Sequence, residues 1–201
     1  MYHAFGKRVI DLMLTIPALI LLAPLIVLVA VLVRIWLGTP VLFRQERPGL
    51  HGRPFTLLKF RTMTAGRDAE GNLLPDAVRL TPLGQFLRST SLDELPELIN
   101  VVKGDMSLVG PRPLLMKYLP YYTAEEWRRF ELLPGISGWA QVNGRNTLAW
   151  NTRLACDIWY VENCSFLLDL KILWITLLKV LRRADVCLDL LDLDEERRQT
   201  A

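Results

Sequence analysis

Two adjacent carboxylates, Asp93 and Glu94, stand at the start of an apolar run in the segment Thr90-Ser91-Leu92-Asp93-Glu94-Leu95-Pro96-Glu97. A carboxylate in this position can act as a covalent nucleophile toward phosphorus. A helix N-terminus beside it offers backbone donors to a phosphate. The same residues also have an ordinary explanation. Ser91 and Glu94 have the S-x-x-E spacing of a capping box, and acidic side chains in a first helical turn complement the helix dipole. Spacing alone leaves both readings open.

A carboxylate and a diphosphate repel each other, so cations must offset the repulsion. Lys59, Arg61, Arg88, Arg112 and Arg145 are the candidates, on several separate segments. Arg112 lies between Pro111 and Pro113, whose fixed φ angles stiffen the backbone that carries it. Its planar guanidinium suits phosphate oxygens. Taken singly, each arginine is better explained as a solvated surface charge. A Mg2+ ion held by Asp93 would add positive charge, since magnesium commonly takes one or two carboxylates together with substrate phosphates. There is no Walker-type loop and no GxGxxG, so a phosphate site has to be assembled from dispersed side chains. His3 and His51, with Cys156, Cys164 and Cys187, show no zinc-ligand spacing. So few cysteines give no disulfide framework and fit a reducing compartment. A net charge of +3 over 201 residues gives little reason to expect a nucleic-acid partner.

These groups have to be positioned by a chain that is 51% hydrophobic, with the excess concentrated before residue 38. Leu12–Val33 is almost wholly apolar. As a straight helix it would be about 33 Å long, enough to cross a bilayer core of about 30 Å. Pro17 and Pro24 interrupt that simple span, because each removes a backbone donor where no water can replace it. Lys7 and Arg8 precede the run, while Arg34, Arg44 and Arg47 follow it. Since positive charge favours the cytoplasmic side, both ends ask for the same side. A helix broken at Pro24, with arms of about 18 and 15 Å, meets that demand. A straight span and a cleaved signal peptide are the alternatives. The run is long for a signal peptide, and no small-x-small site follows it.

Beyond the apolar run, Val41–Glu46 and Phe55–Met63 read as strands joined by a turn with Pro48, Gly49 and Gly52. Residues 65–77 read as an exposed loop. Helices are expected at 83–87, at 91–102 from the capping-box signal, and at 124–132. Phe166–Leu181 is amphipathic: Phe166, Leu167, Leu170, Leu173, Trp174, Leu177, Leu178 and Leu181 fall on one side, Asp169, Lys171, Thr176, Lys179 and Arg182 on the other. It can pack on a core, or lie in a membrane interface with its cations toward headgroups.

Several long motifs resemble those of the bacterial sugar transferases, in particular the monotopic phosphoglycosyl transferases. They are Lys59-Phe60-Arg61-Thr62-Met63, the run Leu92–Val101, the run Gly104–Pro113 and the run Pro134–Arg145, with similar character over Asp157–Leu173. Together they reach from Lys7 to about Arg183. The resemblance implies an α/β fold of mainly helical α+β type, in which a re-entrant membrane helix hairpin kinked at Pro24 is attached to a compact cytosolic domain. That domain would hold a small β-hairpin and interfacial amphipathic helices. Family members often carry serine before that proline, where this chain has Ala23. The resemblance further implies a Mg2+-dependent enzyme at the cytoplasmic face of the bacterial inner membrane. Asp93 would attack the β-phosphorus of a UDP-sugar, UMP would leave, and polyprenol (undecaprenyl) phosphate would take the phospho-sugar from the enzyme. Glu94 matches the second member of the catalytic dyad. Lys59, Arg88, Arg112 with its flanking Pro111 and Pro113, and Arg145 match substrate contacts.

The expected layout is a membrane helix over residues 1–37, a catalytic domain over 38–185, and a flexible tail over 186–201. Expected partners are the UDP-sugar, the polyprenol phosphate and membrane phospholipid. A homodimer stays open, and the donor is expected to be an acetylated amino sugar such as a bacillosamine derivative. Two further functions stay on the page: a non-catalytic membrane scaffold for glycan assembly, and a nucleotide-sugar hydrolase with water in place of the lipid.

Overall fold

The computed structural model describes Tyr2, residues 6–144, residues 148–182 and Leu193. Arg145, Cys187 and the segment 186–201, apart from Leu193, lie outside the described residues.

Helix α1 spans Lys7–Trp36 and contains both Pro17 and Pro24. The residues it turns inward recur at helical spacing: Lys7, Asp11, Thr15, Val29 and Val33 are buried, while Met13, Ile20, Leu21 and Val27 are 61% to 79% exposed. A helix this apolar with so much of its surface bare has the composition and length of a membrane segment. Both of its ends dock on the same domain. At the start, Lys7 Nζ meets Asp169 at 2.5 Å, Asp11 accepts the Leu108 amide, and Arg8 donates to the carbonyls of Val101 and Val102. Those carbonyls belong to the end of helix α4 (Glu97–Lys103), where helix carbonyls lack internal partners and a cation complements the dipole. At the other end, Val29 and Val33 pack against Phe60 and Leu87. Each such buried aliphatic side chain contributes about 1.5–3 kcal/mol.

The expected hairpin is present as strands β1 (Leu42–Pro48) and β2 (Pro54–Phe60), paired antiparallel from Leu42 opposite Phe60 to Pro48 opposite Pro54. Asn100 of α4 fastens β2 to that helix: its side chain accepts the Leu58 amide and donates to the Thr56 carbonyl. The loop that follows closes through bridges between Met63 and Leu80 and between Arg67 and Leu73, and includes the short helix α2 (Asp76–Arg79). Helix α3 (Pro82–Ser89) begins with Thr81 accepting the Gly84 amide and proline at its first position, the usual pre-set start.

The helix expected over 91–102 is in fact two pieces. A 3-10 turn covers Leu92–Glu94, and α4 starts only after Pro96. The capping box is absent as well: Ser91 has φ +56° and makes no side-chain cap. Glu94 spends its carboxylate elsewhere. Residues 126–131 form a 3-10 helix instead of an α-helix. Two elements carry no strong local signal in the sequence. One is a short parallel pair, β3 (Ser107–Val109) with β4 (Gly135–Ser137). The other is helix α6 (Trp150–Asn163), which follows the short α5 (Trp139–Val142). Tyr118, Phe130, Trp150 and Leu154 form the core under α6, and Leu193 is buried in the same cluster, so at that point the tail returns to the domain.

Helix α7 (Phe166–Arg182) presents a mixed face to the domain, with Asp169 and Thr176 beside Ile172. Asp169 and Ile172 are buried, and Thr176 shares a hydrogen bond with Ser137 at 2.5 Å. Its apolar stripe faces out, with Leu167, Trp174 and Leu181 62% to 76% exposed. On the inner side Ile172 joins the core, with the half-buried Leu168, Leu173 and Ile175 packed against it.

Candidate active site

The site forms where β2, the turn before α4 and the proline-rich segment after β3 meet. Ser91 sits in the left-handed region, which costs a non-glycine residue about 1–3 kcal/mol and is characteristic of functional turns. The turn that follows places Asp93 and Glu94 at the centre of a charge cluster. Lys59 Nζ, from β2, lies 2.7 Å from Glu94 and 3.1 Å from Glu97. Arg112 Nη2 meets the same Glu94 Oε1 at 2.8 Å. Among the described residues, these ion pairs end on Glu94 and Glu97 and none ends on Asp93.

That partition separates the two neighbouring carboxyls. Burial pushes Asp93 up, the charge of Glu94 adds to the rise, and it reaches about 6. Burial alone would raise Glu94 too, but Lys59 and Arg112 outweigh it and hold that carboxyl well below the usual range. Two groups with their proton affinities driven apart suggest two roles: Glu94 is a fixed anion that orders cations, while Asp93 carries an uncommitted carboxylate. Glu97, 2% exposed, is a third member that motif spacing did not single out, and burial followed by the charge of Glu94 brings it to about 7. Its position one turn beyond Glu94, at the first residue of a helix, was the available signal.

Arg112 is held as its two prolines suggest, and more firmly. The carbonyls of Pro111, Arg112 and Pro113 accept from the Gly135 amide, Arg129 and Arg47 respectively. Gly135 is required by close approach, because a Cβ there would stand 2.0 Å from the Gly110 nitrogen. Arg129 is anchored in turn by Asp157 at 2.7 Å and by Tyr122. Arg88 donates its Nε to Thr62 Oγ1 at 3.1 Å, and its charge acts on Asp93. The other cations diverge. Arg61 turns away to the Thr39 carbonyl, so it does not join the cluster, and Arg145 lies outside the described residues. Lys7 and Arg8 clamp α1, as described above, and Pro24 sits exposed near its middle.

A cavity of about 440 Å3 opens beside the cluster, lined by Glu94, Arg112, Ser91 and the apolar faces of α1 and α7. As for a metal, no group of three or more His, Cys, Asp or Glu side chains suited to an ion occurs among the described residues. The pair Asp93 and Glu94 is still a donor set of the kind magnesium uses with substrate phosphates completing its shell, and among the described residues no ion pair competes for Asp93.

Residues 2–183 match the family described as bacterial sugar transferase. The chain is 58% identical over 175 residues to the uncharacterized sugar transferase EpsL of Bacillus subtilis, covering 87% of each. It is 41% identical to the UDP-glucose:undecaprenyl-phosphate glucose-1-phosphate transferase of Caulobacter vibrioides, covering 83% of this chain and 66% of that one. It is 40% identical to the UDP-galactose-lipid carrier transferase of Erwinia amylovora, of which it spans only 41%. With the family matched over nearly its whole length, the chain belongs to the bacterial sugar transferases.

Proposed function

We propose that this chain moves a phospho-sugar from a UDP-sugar to polyprenol phosphate at the cytoplasmic face of the bacterial inner membrane, in two steps through Asp93. An Asp93 oxygen attacks the β-phosphorus and the bond to the α-phosphate oxygen breaks, so UMP leaves with that oxygen. The phospho-sugar stays on Asp93 as an acyl phosphate ester. A phosphate oxygen of the polyprenol phosphate then attacks the same phosphorus, the bond to Asp93 breaks, and polyprenol diphosphate sugar departs. No net proton is needed in either step. The observation that carries this reading is the division of labour in the dyad: Glu94 is locked between Lys59 and Arg112, while among the described residues no ion pair ends on its neighbour Asp93.

Arg112 and Arg88 would offset the anionic charge of the diphosphate, which a bare carboxylate could not approach. Lys59 keeps Glu94 oriented. Asp93 and Glu94 would hold Mg2+, which when bound supplies further positive charge to the phosphates. What favours a re-entrant α1 is that Lys7 and Arg8 at its start and Val33 near its end meet one domain, while the helix itself runs continuously from Lys7 to Trp36 through Pro24. The outward apolar stripe of α7 would rest among phospholipids beside it. This placement brings a water-soluble donor and a lipid acceptor to one site, which removes much of the entropic cost of their encounter.

Relatives are named for UDP-glucose and UDP-galactose, so the donor panel pairs these with UDP-linked acetylated amino sugars. The test is UMP release in detergent with Mg2+, with and without undecaprenyl phosphate. Release that is at most stoichiometric without acceptor and catalytic with it supports transfer. Catalytic release without acceptor identifies a hydrolase, and none with any donor favours a scaffold.

A further inference from the structure

The cavity beside Glu94 and Arg112 has a composition that neither the nucleotide nor the sugar explains. Its walls are largely aliphatic: the domain supplies Leu95, Leu98 and Ile136, and the two helices with bare apolar faces supply Leu22 of α1 and Leu173 and Leu177 of α7, with Ala18 beside them. On the inward stripe of α1 the buried positions before and after are Thr15 and Val29. Ala18 and Leu22 fall on that stripe at helical spacing, and the small side chain at 18 leaves space between helix and domain. Two cations, Arg112 and Lys179, lie in the same lining. The volume, about 440 Å3, lies in the range of small-ligand sites, roughly 300–1,000 Å3. It suits the head of a single chain, with the remainder left in the bilayer.

We propose that this cavity, which runs from Glu94 and Arg112, beside Asp93, to the apolar faces of α1 and α7, seats the phosphate-proximal isoprene units of the acceptor lipid. The proposal rests on the transfer reaction given above. An acceptor that attacks a phosphorus on Asp93 must bring its phosphate to Arg112 while its chain stays out of water. Among the described residues this cavity runs from Arg112 to the membrane helix and meets both demands. The cations match the phosphate, and the aliphatic walls are continuous with the faces that α1 and α7 show to lipid. Discrimination among acceptors would then reside in Ala18 and Leu177 on the cavity walls.

The test separates the two half-reactions in the full-length detergent-purified protein. Ala18→Trp and Leu177→Trp fill the cavity from opposite walls, and Leu177, 49% exposed, tolerates the change without disturbing the core. Both variants should form the enzyme-bound phospho-sugar within twofold of wild type by intact mass, yet discharge it to undecaprenyl phosphate at least tenfold more slowly. With acceptors of one to four isoprene units, the wild-type KM should fall over the first units and then level, and Ala18→Trp should abolish that fall. A prenyl phosphate bearing a photoreactive group near the phosphate should label residues 15–25 and 170–181 of the wild type, and excess phosphatidylglycerol should not protect. Normal adduct formation with unchanged discharge in both variants would overturn the acceptor seat while leaving the reaction intact. Equal protection by phosphatidylglycerol would make the cavity a general lipid seat and overturn it too. Absence of any adduct in the wild type would instead strike the reaction itself, and the acceptor seat with it.

Discussion

Lys59 Nζ lies 2.7 Å from Glu94 Oε1, so the carboxylate next to Asp93 in sequence is neutralised by a strand neighbour 35 residues away. The pair fixes which of two adjacent acids is left for chemistry. It also ties the hairpin to the turn, since Lys59 sits on β2 and Glu94 ends the 3-10 turn before α4.

The first prediction concerns pH. Asp93 is raised to about 6 by burial and by Glu94. Only its ionised form attacks phosphorus, so adduct formation should decline as pH falls through about 6. Glu94→Gln removes the adjacent negative charge and leaves Lys59 and Arg112 acting on Asp93, so the acid limb of the remaining activity should move to lower pH. The stability contribution runs the opposite way: a carboxyl raised in the fold binds its proton more tightly there than in the unfolded chain. Its contribution therefore grows as pH falls from about 6 toward the ordinary value of 3.8. A rate profile from pH 5 to 8 for both proteins checks this, and an acid limb that stays put in Glu94→Gln contradicts it.

The second concerns the support under Arg112. Arg129 and Asp157 are 1% and 2% exposed in their side chains and 2.7 Å apart. Arg129→Met leaves Asp157 a buried unpaired charge and frees the Arg112 carbonyl. Breaking a buried pair from one side costs about 3–5 kcal/mol, a fall in Tm of roughly 6–20 °C. Adding Asp157→Leu should recover most of the stability but not the activity, because Arg112 still lacks its anchor. Thermal unfolding in detergent and UMP release, measured together, separate the two effects.

The third concerns Arg88. Thr62→Val removes the hydroxyl that accepts its Nε. A hydrogen bond to a charged group contributes about 1.5–3 kcal/mol, so kcat/KM for the UDP-sugar should drop roughly tenfold or more, with a fall in Tm of roughly 3–12 °C. Gly84→Ala should lower both quantities, because its Cβ would stand 1.9 Å from the Thr62 carbonyl oxygen and push α3 away.

The fourth concerns topology. In a cysteine-free background, single cysteines at Gly6 and Thr39 should both resist a membrane-impermeant maleimide added to intact spheroplasts and both react after lysis. Labelling of either from outside would mean that α1 crosses the bilayer.

Much of the site was legible because its chemistry lies in compact motifs. Arg112 was identifiable from its flanking prolines, Asp93 and Glu94 from their adjacency, and the family resemblance supplied the roles. The hairpin was legible from its turn residues, and α3 nearly so. The failures have physical causes. The S-x-x-E spacing of Ser91 and Glu94 imitates a cap, but the long-range attraction of Lys59 and Arg112 outcompetes the local hydrogen bond. Arg61 shares a motif with Lys59, yet it stands one residue past the end of β2 and donates to the Thr39 carbonyl instead of joining the cluster. Periodicity located α7 and its two faces but not which one meets the domain. That is decided by Asp169 accepting from Lys7, Tyr2 and Tyr160, three partners brought from other elements. Helix α6 mixes buried Arg153 and Asp157 into its inner face, so its apolar signal is blurred.

The most direct test is intact-mass analysis of the purified protein, with Mg2+ and each UDP-sugar in turn, beside Asp93→Asn. The account predicts a phospho-sugar adduct with at least one donor, absent in Asp93→Asn and discharged on adding undecaprenyl phosphate. Turnover of a donor to polyprenol diphosphate sugar with equal rates in wild type and Asp93→Asn would contradict it.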